Sequence, residues 1–417
     1  MLNGTEDLQG DATWLVHDRF GLFIHWGLYA LAARHEWVKH RERMTDAHYQ
    51  RYFDHFDPDL FDPVGWARQA RRAGMRYMVV TSKHHEGFCL WDSQLTDYKA
   101  PNTPAGRDLL RPLLDAFRAE GLKVGLYHSL IDWHHPEFPL DGLHPLRDDA
   151  AAREQSKGRD IARYRDYLHG QVRELLTGYG RIDYMWFDFS YPGSDWGWSK
   201  GKGREDWGSE SLEAMVRELQ PHIVLNVRLH LGHGVRTPEQ YQPRRTRPEE
   251  YRFWEACQTM NGSWGYDRDN LDWKPVDLLV RMLIDSVAKG GNLLLNVGPT
   301  ARGELDPRSV ERLEGVGSWM RQHGRSIYGC GPSAFVAPED CRYTARGDRL
   351  YVHVLSWPFR HLHLEGLAGR VAYAQLLHDA SEVQFRERAD QDLVTLDLPV
   401  QRPDVVVPVI EVFLRPT

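Results

Sequence analysis

The stretch IDYMWFDFS (residues 182–190) runs through apolar and aromatic side chains and then meets a carboxylate, Asp188. A carboxylate placed directly after such a run belongs at a strand end, not on a solvated helix face. At the end of a parallel strand, the chain has reached the mouth of a barrel. The same pattern recurs on either side in FGLFIHWG (20–27), YMVVTSKHHEGF (77–88), KVGLYHSLIDW (123–133) and IVLNVR (223–228). Seven strands of this kind are read in all, including a weak one near residues 253–257, and no eighth is placed. Separate strands that each deliver a His, Asp or Arg to one end are how a (β/α)8 barrel assembles a catalytic site.

Between these strands the apolar period changes to that of helices. Residues 62–73 carry Asp62 as a cap and Pro63 in the first turn. Residues 108–120 stop at Gly121. Further helices are expected over 158–178, 209–220, 275–289 and 307–323. Strand and helix in alternation mean an α/β fold with a parallel sheet, here a (β/α)8-like barrel, with a distorted or incomplete form as open as a regular one. From about Ala334 the chain changes to short alternating runs such as LYVHVLSW and HLHLEGL, the pattern of an antiparallel β-sandwich. Two domains are expected, the barrel over 1–332 and the sandwich over 333–417. Two long irregular loops, 133–155 and 190–207, are expected to shape access to the mouth.

Composition narrows the function. The net charge of -7 is mild and no basic stripe is present, which argues against a nucleic-acid partner. No stretch of 18 apolar residues suggests a membrane span. The four cysteines lack paired spacing, and the N-terminus lacks the basic-then-apolar order of a signal peptide, so a reduced, cytoplasmic protein is expected. A homo-oligomer is compatible with all of this. With 15 Trp and 18 Tyr, the chain has rings to spare for packing against the C–H faces of a sugar.

Asp188 has an ordinary reading, the cap of the next turn. It also has a chemical one, a nucleophile or metal ligand on a rigid strand. Trp186 shares its face by strand alternation. A nucleophilic carboxylate needs a partner acid, about 5–5.5 Å away in retaining glycosidases. Glu239, in the loop RTPEQ, ranks first, and Glu255, on a strand where burial is the ordinary fate, ranks second. Glu249 and Glu250 read as a solvated charge pair. His25, His84, His85 and His128 fall at three strand ends, where they can bind a metal or hydrogen-bond sugar hydroxyls. Adjacent His84 and His85 would face opposite ways on a regular strand, which weakens the metal reading. Glu36–Trp37 and Asn226–Arg228 can hold hydroxyls or a carboxylate, and Trp264 and Tyr266 can form an apolar wall. The basic run KHRER (39–43) reads as a solvated loop.

Taken in order, RFGLFIHWGLYA, EW, TSKHHEGFCLWDS, GLYHSLIDWHHPEF, WFD, WEACQTMNGSWGY and GGNLLLNVGPTARGELD resemble the α-L-fucosidases of glycoside hydrolase family 29. The resemblance spans roughly residues 14–332. It implies a retaining hydrolase of terminal α-L-fucosides that needs no cofactor, with Asp188 as nucleophile. It also implies a sugar pocket made by His25, Glu36, Trp37, His84, His85, Tyr127 or His128, Trp186, Arg228 and Trp264. Glu239 stands where many members carry the acid/base, with Glu255 as the fallback. The chain departs from the family at FDFSYP, where many relatives have Gly after the Asp. Two other readings stay open beside it, a metal-dependent barrel hydrolase and a non-catalytic fucose-binding protein. Transfer of fucose to a sugar instead of water is a variant of the first reading.

Overall fold

The computed structural model describes residues 8–244 and 253–416, so Glu249 and Glu250 lie outside the described residues. Seven parallel strands form one curled sheet: β1 (Phe20–Ile24), β2 (Tyr77–Lys83), β3 (Lys123–Ser129), β4 (Tyr184–Asp188), β5 (Val224–Leu225), β6 (Glu255–Thr259) and β7 (Asn292–Val297). Their spatial order is β5-β4-β3-β2-β1-β7-β6. The register sets Gly21 beside Tyr77, Phe23 beside Val79 and Tyr127 beside Trp186. Alternate residues therefore face the lumen, where Phe23, Val79, Tyr127, Trp186, Cys257 and Leu294 belong to one buried cluster. Gly21 is needed there, because a Cβ would lie 2.3 Å from the Tyr77 ring. A short helix, Thr13–Asp18, contributes buried Leu15 to this cluster from the end where the strands begin.

The edges β5 and β6 are joined by residues 235–240, which form the eighth stave without being a regular strand. On one side Val235 N–H donates to Leu225 O (2.9 Å) and Val227 N–H to Val235 O (3.0 Å). On the other, Glu255 N–H donates to Arg236 O (2.8 Å), and Cys257 N–H to Pro238 O (3.1 Å). The bridges are isolated and parallel. Pro238 has no N–H to give to a ladder, and RTPEQ has no apolar alternation, so nothing in the sequence marks a strand here. The stretch read as the RTPEQ loop is thus part of the barrel wall.

Helices cover the outside much as expected, with several short additions such as Asp46–Asp54 and Arg204–Trp207. The third helix is Ile161–Gly178, capped by the Asp160 side chain on Ala162 N–H (2.8 Å). A further helix, Ala150–Ser156, occupies the last part of the first stretch expected to be loop and runs one residue past it. The C-terminal region pairs β8 (Cys341–Arg346), β9 (Arg349–Val354), β10 (His361–Glu365), β11 (Val371–Leu376), β12 (Gln384–Arg388), β13 (Leu393–Asp397) and β14 (Val409–Leu414). They form two antiparallel sheets, β11-β14-β9-β8 and β10-β13-β12, with a core that includes Val352, Leu364, Val394 and Val412. This unit is docked on the barrel by Trp319 Nε1–H donating to Val407 O (2.9 Å) and by the Arg342–Asp285 ion pair (3.0 Å). No helix among the described residues is long and apolar enough to cross a membrane.

Candidate active site

At the C-terminal ends of the barrel strands lies a cavity of about 480 Å³, lined by His25, Glu36, Trp37, His84, His85, Tyr127, Trp186, Asp188, Glu239 and Trp264. Asp188 is the last residue of β4 and is nearly buried. Its Oδ2 accepts from the Tyr127 hydroxyl (2.8 Å) and its Oδ1 from Arg228 Nη1 (2.8 Å). Burial pushes its carboxyl up to about 6. The Arg228 guanidinium pulls the other way and the like charge of Glu239 adds to the rise. At neutral pH this carboxylate is ionised, poorly hydrated and held by fixed donors.

Arg228 joins the two halves of the site. It follows β5 in a 3-10 turn, Val227–Leu229, which begins where Asn226 takes over the pairing with β4. The Asn226 amide accepts from Phe187 N–H (3.2 Å) and donates to Phe187 O (2.8 Å). Side chain thus replaces backbone in the ladder, freeing the main chain to turn. While Nη1 holds Asp188, Nη2 of Arg228 holds Glu239 Oε2 at 3.0 Å, and the guanidinium lies over the Trp186 ring at 5.0 Å. Glu239 is the open partner: its side chain is 44 % exposed, against 13 % for Asp188.

The imidazoles are neutral. Burial holds His25 and His85 well below the usual histidine range and brings His84 to about 3. The Asn296 amide donates through Nδ2 to Trp264 O (2.6 Å), so its Oδ1 faces His25 Nδ1 at 2.7 Å. That network assigns the proton to Nδ1 and leaves His25 Nε2 as an acceptor. His85 Nδ1 pairs with Ser129 Oγ (2.7 Å). Glu36 accepts from Gly265 N–H (2.9 Å) and Trp264 N–H (3.1 Å), and burial raises its carboxyl to about 7. Among the described residues, no group of three or more His, Cys, Asp or Glu is disposed to hold a metal ion.

Several placements differ from the expectations. His84 and His85 both line the cavity, because β2 stops at Lys83 and a turn closed by Gly87 N–H on His84 O (3.1 Å) redirects the chain. His128 alternates away from Tyr127. It is buried against Trp91 and Ser82, so of the two it is Tyr127 that meets the cavity. Glu255 opens β6 at the far end of the lumen, where it accepts from the Tyr77 hydroxyl and does not line the cavity. The basic run 39–43 is not a solvated loop. Lys39 is buried on Asp46 (2.7 Å), and His40 and Arg41 line the cavity.

Besides His35, Gln240 and Gly262 in the lining, Asn296 and Phe189 were not singled out from sequence. Asn296 sits at the polar end of NLLLNV, the same strand-end signal as the others. Phe189 lines the cavity with φ +81°, a conformation that favours glycine, and its ring packs on His85 (4.9 Å) and Trp37 (5.3 Å). The resemblance puts the chain's departure from the family pattern at this residue, and a positive φ is one that glycine adopts without strain.

Carbohydrate chemistry is the class this mouth is built for: ring faces for C–H surfaces, neutral imidazoles for hydroxyls, and two carboxylates of unequal solvation. The chain belongs to the α-L-fucosidase family, whose model matches residues 4–325, and is a glycoside hydrolase. It is similar to α-L-fucosidase isoenzyme 1 from Paenibacillus thiaminolyticus, with 47% identity, TM-score 0.92, and coverage of 97% of this chain and 99% of that one. It is also similar to the human plasma α-L-fucosidase, at 30% identity over 83% of this chain and 76% of the relative. A third similarity is to a family 29 α-L-fucosidase from Bacteroides thetaiotaomicron solved as a trapped covalent intermediate (27% identity, TM-score 0.83, 96% and 95% covered).

Proposed function

We propose that this chain removes terminal α-L-fucosyl residues from glycans by double displacement, with Asp188 as nucleophile and Glu239 as acid/base. One observation carries the reading: Arg228 holds both carboxylates at the cavity, one buried and one open to solvent. Asp188 attacks the anomeric carbon, and Glu239 gives a proton to the departing oxygen. Glu239 then takes a proton from the water that releases fucose from the ester. Its exposure suits both duties, since the leaving group and the water arrive from the solvent side. The covalent intermediate trapped in the Bacteroides relative is the state this scheme requires.

Recognition of the sugar follows from the walls. L-Fucose carries a methyl in place of a primary alcohol, and Phe23, Trp37 and Trp264 offer apolar faces in the cavity. His25 Nε2, His84 and Glu36 supply partners for its hydroxyls. Release of 4-nitrophenol from the α-L-fucoside, with other aryl glycosides alongside, tests the activity. Proton NMR of the first-formed sugar tests the mechanism. α-L-Fucose as the first product supports double displacement, whereas β-L-fucose would overturn the role of Asp188 as nucleophile.

A further inference from the structure

The opposite end of the barrel carries a second feature that the hydrolysis does not use. Arg76 stands just before β2, with its N–H on Phe20 O at the start of β1 (3.0 Å), so it lies away from His25, His84 and Asp188 at the strand ends. Around it a cleft of about 1070 Å³ opens between barrel helices and the C-terminal sheets. Six guanidinium groups line that cleft, Arg71, Arg72, Arg76, Arg321, Arg325 and Arg346, against one carboxylate in the lining, Glu314. All six are exposed.

They arrive from five separate segments. Arg71 and Arg72 end the helix Pro63–Arg72, and Arg321 sits in the last turn of Pro307–His323. Arg325 lies in the 3-10 turn Gly324–Ser326, Arg346 ends β8, and Arg76 precedes β2. Acids near these cations are few: Asp18 feels the charge of Arg76, and Glu314 lies in the lining. Arg71 donates to the Glu120 carbonyl, Arg346 to the Tyr328 carbonyl (3.3 Å), and Arg76 stacks on the Tyr328 ring (4.4 Å). Arg325 has a carboxylate, Glu411 at 3.4 Å. The side chains of Arg72 and Arg321 make no hydrogen bond or ion pair among the described residues. The floor is fixed, because the Tyr328 hydroxyl donates to Gly74 O across the cleft.

Gathering like charges on a protein of net charge -7 creates a local field opposite to that of the whole molecule. The planar fork of arginine matches tetrahedral oxyanions better than it matches carboxyl groups spread along a chain. We propose that this cleft binds a multiply charged oxyanion bearing clustered sulfate or phosphate groups, either carried on a glycan or free as a polyphosphate. Because the cleft lies at the far end of the barrel, its occupant does not compete with the fucoside.

Isothermal titration of the full chain tests this, using inorganic tripolyphosphate and a sulfated heparin hexasaccharide as probes and oligogalacturonate as a carboxylate-only control. At low salt we expect one site for at least one of the two probes, weakened about tenfold or more in about 0.3 M NaCl. The double variant Arg72→Glu/Arg321→Glu is expected to weaken that site by about tenfold or more while leaving 4-nitrophenyl fucoside turnover unchanged. Preference for the hexasaccharide assigns the site to a glycan-borne anion, and preference for tripolyphosphate to a free one. No binding of either probe, equal binding of oligogalacturonate, or unchanged affinity in the double variant would overturn the proposal. Loss of turnover when the site is saturated would overturn its separation from the catalytic cavity.

Discussion

The two halves of the barrel wall are built to different standards. From β1 to β4 the strands pair along most of their length, with a single register shift between Thr81 and Lys83, and this half supplies Asp188, Tyr127, Trp186 and the histidines. From β5 to β6 the wall is a two-residue strand, an amide standing in for backbone, and a stave held by single bridges; this half supplies Arg228 and Glu239. The contrast matches the demands of the roles proposed for the two carboxylates. A nucleophile must be held within a fraction of an ångström of one carbon, which regular pairing and two donors achieve. An acid/base must serve a leaving group and then a water, which calls for an edge open to solvent.

Mutations can break or sharpen that contrast. The largest effect is expected at the rigid half: Asp188→Ala lowers turnover of the aryl fucoside on the order of 10⁴-fold or more while fucose binding by calorimetry persists. On the open half, Glu239→Ala is expected to cost about 10²–10⁴-fold on a fucosyl disaccharide. The loss on the 4-nitrophenyl fucoside is smaller, since nitrophenolate departs without a proton, and added azide restores part of the rate. Equal losses on both substrates would mean that Glu239 does not protonate the leaving group.

Arg228→Ala tests the link between the halves. As the proposed nucleophile, Asp188 must be ionised to attack, so kcat/KM is expected to fall as pH drops through about 6. Arg228 pulls that carboxyl down, so its removal is expected to move the acid limb to higher pH. An unmoved limb would show that another group sets it. Glu255→Ala has the smallest expected effect on rate, within about threefold. Its cost appears instead in urea unfolding, about 1–3 kcal/mol, because the Tyr77 hydroxyl loses its acceptor in the closed lumen. A folded Glu255→Ala protein without turnover would exchange the roles assigned to Glu255 and Glu239.

The same division governs what could be read ahead of the structure. Strands such as YMWFD are visible because their burial on both faces demands unbroken apolar runs, and their polar last residues stand out against them. The eighth stave has no such run. RTPEQ carries a proline and alternates nothing, so Glu239 reads as a loop residue although its main chain closes the barrel. His84 and His85 show the limit of strand parity, which predicts opposite faces only while the strand continues. One turn closed by Gly87 sends both to the cavity. The burial of Lys39 was equally out of reach, since its partner Asp46 becomes a neighbour only through the turn between two short helices.

Local order in the chain was enough to determine the alternation of strand and helix, the change to an antiparallel region after the barrel, and the polar strand ends that crowd one mouth. These are properties of residues close in sequence, where period and capping act. What only the tertiary structure decided depends on residues far apart in the chain. Arg228 spans Asp188 and Glu239, Asn296 sets the tautomer of His25, and six arginines from five segments meet in one cleft that no basic run announces. Charge and hydrogen bonding act across space, so their arrangement exists only once the barrel has closed.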